Sequence, residues 1–263
     1  MIPYPHIDPV IFRIGPLAVR WYGIMYVLGF ASSYLLVLYQ IKKKAIGITR
    51  EQIDDLYFYL ILGLLIGARL GYAIFYNLPF YLESPWEIFV LWHGGMSFHG
   101  GAIGTFIAAY LVMRKRGLQF FNVADLITPT IPIGLGLGRI GNFINGELFG
   151  RVTESRWGMI FPDGGPLPRH PSQLYEAFLE GFILFVILWW YKNRKSYQGD
   201  VFALFLILYG IFRSFCELFR EPDTQLGYLF GALTMGQLLS LSMIALGFLL
   251  RYLYIRRAGK PST

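Results

Sequence analysis

Residues 21–41 read WYGIMYVLGFASSYLLVLYQI, twenty-one positions without a charge, and Lys42, Lys43 and Lys44 follow at once. A hydrocarbon core of about 30 Å takes about 20 apolar residues of helix. This stretch therefore reads as a membrane span closed by a basic end, and the rest of the chain repeats the pattern. Further apolar runs fall at 56–76, 96–113, 120–137, 174–191, 201–219 and 226–250, giving seven expected spans. Composition agrees: 55% of the 263 residues are hydrophobic and 15% charged, against about a quarter charged in soluble domains. The expected fold is all-α, a polytopic membrane protein with seven transmembrane helices and a small periplasmic cap. One integral membrane domain, 1–263, takes in the whole chain, its external cap built mainly from 77–95 and 138–173. The start, MIPYPHIDPVIF, has neither a basic region nor an A-x-A site, so no removable signal peptide is expected.

Basic residues give the orientation, because short cytoplasmic loops retain Lys and Arg. Clusters follow spans one, three, five and seven, and all seven lysines belong to them. The N-terminus is thus expected outside and the C-terminus in the cytoplasm. The net charge of +7 is mostly a topology signal, and no nucleic-acid surface is expected. The nine basic residues outside those clusters are all arginine. Arginine stays charged when desolvated and grips phosphate or carboxylate through a planar fork. Arg13, Arg20 and Arg156 read as headgroup or structural contacts. Arg69, inside span two, reads as a structural group paired with a glutamate of another span.

Two stretches resist a purely structural reading. In span six, Tyr209, Arg213, Glu217 and Arg220 are spaced by four, four and three residues, which puts them on one helical face. Charge inside a membrane segment costs about 2.5–3.5 kcal/mol per residue even on lenient scales, so such a stripe should face a cavity or a partner. The second stretch, GRIGNFINGELFGR at 138–151, ends the broken fourth span, which Asp125, Pro129 and Pro132 interrupt. Gly136, Gly138 and Gly141 satisfy G-x-G-x-x-G, but no strand precedes them, so a dinucleotide site is rejected. The glycines are expected to permit close helix packing and a bent backbone where a lipid headgroup approaches. Arg139, Asn142, Asn145, Glu147 and Arg151 then line a cavity at the outer interface.

Three histidines lie on the same side. His99, in GGMSFHGGAIG, has glycines beside it that clear space; His170, in RHPSQLYE, precedes a helix start at Pro171 and Ser172; His93 looks interfacial. No histidine pair has ligand spacing, so neither a metal nor a cofactor is expected. Cys216, the single cysteine, reads as an apolar filler. The residues alone describe an anion-handling cavity, with phospholipid phosphate as the local anion. A lipid or small-anion transporter with an arginine-lined cavity is the main alternative, and a membrane scaffold the other.

The chain also resembles a known family. GRIGNFINGELFGR is similar to the signature of bacterial prolipoprotein diacylglyceryl transferases. RWYGIMY, GARLGYAIFYN, MSFHGG, RHPSQLYEA and YGIFRSFCELFREPD extend the likeness over nearly the whole chain. Ala102 and Phe149 depart from the residues common in the family. The resemblance implies transfer of the diacylglyceryl group of phosphatidylglycerol to the lipobox cysteine of a prolipoprotein signal peptide, with glycerol phosphate released. The implied partners are phosphatidylglycerol, that peptide and membrane lipids, and the implied location is the bacterial cytoplasmic (inner) membrane. By the same resemblance Arg139 and Arg213 clamp the phosphate, Asn142, Gly150 and Glu147 shape the cavity, and Tyr22 supports the site from span one. His99 is expected to take the thiol proton, with Tyr209 and Glu217 as other candidates. Asn145, Arg151 and His170 complete the expected substrate contacts.

Overall fold

A computed structural model describes residues 2–15, 17–43, 47–90, 93–221 and 234–258. Lys44, Lys260, residues 91–92 of the expected cap and the first eight residues of the seventh span lie outside them. The chain is mostly helical. In order come β1 (Val10–Ile14), β2 (Leu17–Arg20), α1 (Trp21–Lys43), α2 (Arg50–Phe75), α3 (Leu78–Glu83) and α4 (Phe98–Lys115). Then follow α5 (Phe120–Ile127), α6 (Ile131–Asn145), α7 (Ser172–Glu176), α8 (Leu184–Tyr191), α9 (Asp200–Cys216) and α10 (Met235–Ala258).

Among the described residues, five helical stretches are long and apolar enough to cross a membrane: Trp21–Lys43, Arg50–Phe75, Phe120–Asn145, Ser172–Tyr191 and Met235–Arg256. α4 and α9, at the third and sixth expected spans, have 18 and 17 residues, below the roughly 20 that a bilayer core asks of one helix. One element was not foreseen in the all-α reading. β1 and β2 pair as an antiparallel hairpin, with Phe12 opposite Val19 and Ile14 opposite Leu17.

The chain divides into two compact units, Leu38–Phe120 and the flanking segments Met1–Val37 and Phe121–Thr263. In the first, α2 opens on a capping box: the Thr49 hydroxyl accepts from the Gln52 amide and the Gln52 side chain from that of Thr49, which satisfies two orphan donors. α2 and α4 meet through glycines at four-residue spacing. A Cβ added at Gly71 would lie 2.7 Å from the Gly100 Cα, and one at Gly104 2.8 Å from the Gly67 Cα. Without a hydrophobic drive between helices in lipid, such close backbone approach is what holds the pair. Arg69 corrects its expectation. It is buried and donates to the carbonyls of Glu87, Ile88, Val90, Gly94 and Gly95. A guanidinium has five donors in a fixed fork, and here backbone, not a glutamate, receives them.

In the second unit, the core packs Leu184 and Leu188 of α8 against Val201, Phe205 and Leu206 of α9. The broken span resolves as α5, a 3-10 turn at Thr128–Thr130 and α6. Pro129 and Pro132 each sit in the first turn of the element they begin, where a missing N–H costs nothing. The glycine-rich stretch departs from expectation: it stays helical to Asn145. Its glycines serve packing instead. A Cβ at Gly181 would lie 2.6 Å from the Gly136 Cα, and one at Gly141 2.9 Å from the Tyr22 ring. Between α7 and α8 the helix widens to π geometry over Ala177–Ile183.

Candidate functional site

The site is built at one end of α6, where the chain turns sharply. Gly146 has φ +71°, donates to the Phe143 carbonyl at 3.0 Å, and lets Glu147 donate to the Asn142 carbonyl at 3.1 Å. This is a Schellman closure, and the left-handed residue it needs is cheapest as glycine. The Tyr4 hydroxyl caps the same end, 2.7 Å from the Phe143 carbonyl and 3.1 Å from that of Ile144. Leu148 also adopts a positive φ, +57°, which few non-glycine residues do.

The turn brings three expected residues together. Asn142 and Asn145 both donate to Oε1 of Glu147, at 2.9 and 3.0 Å. Gln173 of α7, which the sequence reading passed over, donates to the Glu147 carbonyl at 2.7 Å. Its own Oε1 and the Oδ1 of Asn145 are buried acceptors without a hydrogen bond among the described residues.

Gly150 lies where two backbones meet. Its amide donates to the His170 carbonyl at 2.8 Å, and the next amide, that of Arg151, donates to Phe219 at 2.9 Å. A Cβ here would lie 2.7 Å from that of His170, so only glycine fits. Arg151, expected at the substrate, spends its Nε on the Arg220 carbonyl at 2.9 Å. Arg169 ties the same layer together through the carbonyls of Gly164 and Gly150 and the Glu221 carboxylate, 2.8, 3.2 and 2.7 Å away. His170 places Nδ1 3.2 Å from the Tyr175 hydroxyl and its ring edge-on to Phe219. Burial pushes its pKa below the ordinary histidine value of 6.5, so the ring is neutral at pH 7.

Beside this turn the charged groups converge. Arg139 of α6 reaches Glu176 of α7, Nε to Oε2, at 2.8 Å. Arg213 of α9 bonds that same Oε2 through Nη1 and Glu217 through Nη2. Glu180 lies one turn past Glu176, its Oε1 3.8 Å from Arg213. Arg220 approaches Glu217 at 3.9 Å, and the Thr234 hydroxyl donates to that carboxylate at 3.1 Å. Three arginines thus face three glutamates, and the glutamate side chains are at most 5% exposed. Buried charges cost several kcal/mol each unless paired, which accounts for the interlocking.

The two arginines expected as a clamp are held differently. Arg213 has both terminal nitrogens on carboxylates and a side chain only 10% exposed. Arg139 is 21% exposed and, among the described residues, engaged through Nε alone. Its two terminal nitrogens can serve an incoming anion. Tyr22 sits apart from these contacts, its hydroxyl 3.1 Å from that of Tyr26 and its ring against Gly141. Tyr209 stacks on Phe205 within α9. His99 is exposed near the start of α4, in the unit Leu38–Phe120. The sequence reading noted Glu176 and Glu180 but gave them no role. Their four-residue spacing in an apolar run was the signal. Among the described residues no group of three His, Cys, Asp or Glu side chains could hold a metal.

Apolar helices around a buried arginine–carboxylate cluster define a multi-pass membrane protein equipped to handle an anion. The model of the family described as prolipoprotein diacylglyceryl transferase matches residues 9–253, and the chain belongs to that family. A Francisella tularensis subsp. mediasiatica protein named phosphatidylglycerol–prolipoprotein diacylglyceryl transferase is 54% identical over 249 residues, covering 94% of this chain and 93% of its own. A Geobacter sulfurreducens protein of the same name is 51% identical over 258 residues, covering 98% and 99%.

Proposed function

We propose that the chain transfers the diacylglyceryl group of phosphatidylglycerol to the lipobox cysteine thiol of a prolipoprotein, the first step of lipoprotein maturation. The thiol sulfur attacks the glyceryl carbon next to the phosphate, a thioether forms, and glycerol phosphate leaves. The observation that carries this reading is the pairing of Arg139 and Arg213 on one oxygen of Glu176, with the terminal nitrogens of Arg139 uncommitted. That geometry suits an anion whose charge grows as the carbon–oxygen bond breaks. Preorganised donors aimed at developing charge usually contribute more to catalysis than any other single effect.

In this reading Arg139 takes the phosphate directly and Arg213 holds the cluster's charge in place beside it. Asn142, Asn145 and Glu147 form the wall toward the headgroup. Gly150, Arg151 and His170 fix the layer behind that wall, and Tyr22 supports α6 through Gly141. His99 and the carboxylates of the cluster are the groups able to accept the thiol proton. The chain crosses the bacterial cytoplasmic membrane seven times as one domain, with α4 and α9 as the shorter crossings. The cap from 77–95 and 138–173 and the N-terminus face the periplasm, and the C-terminus the cytoplasm.

The test is reconstitution. Purified protein, phosphatidylglycerol in detergent micelles and a lipobox peptide should yield a peptide heavier by one diacylglyceryl group and an equal amount of glycerol phosphate. Movement of lipid between leaflets of a vesicle with no such products would replace the reading with transport.

A further inference from the structure

Glu180 is the member of the cluster with no contact that accounts for it. Its side chain is 1% exposed, and neither carboxylate oxygen has a hydrogen bond among the described residues. Glu217, by contrast, is bonded through both oxygens, to Arg213 and Thr234, and Glu176 carries two arginines. Arg213, Arg139, Arg220 and Glu176 are the charged groups facing Glu180; Tyr209 and Cys216 are its other titratable neighbours. The carboxylate is held by field and shape while its lone pairs stay open. Burying such a group without partners is costly, so a lone structural role is poorly served by it.

Its position along the helix matches a requirement of the reaction. Displacement at carbon is in line, so the sulfur approaches from the side opposite the departing phosphate. With sulfur and carbon about 3–3.5 Å apart before attack, the sulfur lies about 6 Å from the phosphorus. Glu180 is four residues beyond Glu176, which carries the arginine pair, and four residues advance a helix by about 6 Å. A phosphate at the arginines thus puts the attacking sulfur at the level of Glu180.

We propose that Glu180 is a catalytic residue, the acceptor of the thiol proton, an assignment that rests on the transferase reading. The proton passes from sulfur to a Glu180 oxygen as the sulfur–carbon bond forms. The carbon–oxygen bond breaks, its electron pair stays with the phosphate, and glycerol phosphate leaves against Arg139. The carboxyl then gives its proton to the released phosphate or to water. No oxidant or further reactant is needed.

A selenocysteine lipobox peptide tests this, because a selenol is already ionised at neutral pH and needs no base. With the cysteine peptide, Glu180→Gln should lose at least about 100-fold in turnover while binding phosphatidylglycerol like the wild type. With the selenocysteine peptide it should recover to within about tenfold of wild type, and Glu180→Asp should be intermediate with the cysteine peptide. Full turnover of Glu180→Gln on the cysteine peptide would overturn the assignment. So would an equal loss on both peptides with lipid binding intact, or selenium rescue of His99→Gln and not of Glu180→Gln. Absence of product from wild-type protein with either peptide would overturn the transferase reading and the assignment with it.

Discussion

Arg139 and Arg213 meet on a single atom, the Oε2 of Glu176. One residue comes from the glycine-rich α6 and the other from α9, seventy-four positions later. Two guanidiniums so close repel unless an anion separates them, and the buried carboxylate supplies that anion permanently.

Removing Arg139 should abolish chemistry and spare the fold. Because it is partly exposed and engaged through one nitrogen, Arg139→Ala should lower transfer by about 100–1,000-fold, the usual loss for one preorganised donor. Thermal unfolding in detergent should move little. A wild-type rate in the reconstituted assay would refute the clamp.

Arg213→Ala should instead fail in stability as well. It strands Glu176 and Glu217, both buried, and breaking a buried pair in this way costs about 3–5 kcal/mol. The purified variant should unfold at a clearly lower temperature than Arg139→Ala. Equal melting of the two would contradict the difference in their engagement.

Gly150→Ala should destabilise the layer between 150 and 220 by about 1–3 kcal/mol, the common cost of overpacking, because its methyl group meets the His170 side chain. Protease susceptibility of that layer should rise with it. Unchanged cleavage would show that the backbone yields freely.

Arg69→Lys should release the segment 84–95 from α2. An ammonium has three donors, and five carbonyls depend on this side chain. Hydrogen exchange at 87–95 should accelerate at least about tenfold, the effect of losing about 1.4 kcal/mol of local stability.

His170 supplies a pH dependence. Its folded pKa lies below 6.5 because burial disfavours the charged ring, so the unfolded chain binds the proton more readily. His170's contribution is complete above about pH 6.5 and is lost as pH falls toward the folded value. His170→Phe should flatten the melting temperature between pH 7 and 5; an unchanged slope would place its origin elsewhere.

The membrane character was legible because twenty-residue apolar runs bounded by Lys and Arg have few other physical meanings. The convergence of Arg139 with Arg213 was legible only as a shared side of the membrane. Nothing in either helix encodes that both end on Glu176. The hairpin at Val10–Arg20 was missed because VIFRIGPLAVR runs into the first span without a break in hydropathy. The caging of Arg69 was missed because backbone carbonyls carry no sequence signal. The helicity of 131–145 was missed because glycines were read as bends, when their partners Gly181 and Tyr22 lie on other elements.

The widened turns at Ala177–Ile183 set the phase of everything after them. Deleting one residue there would let the strand of turns relax to ordinary pitch and rotate α8 by about 100°. Leu184 and Leu188, sealed against α9, would swing toward lipid while Glu176 stayed in place. The length of this segment is therefore an inherited constant: side chains can vary along it, but its residue count cannot change by one.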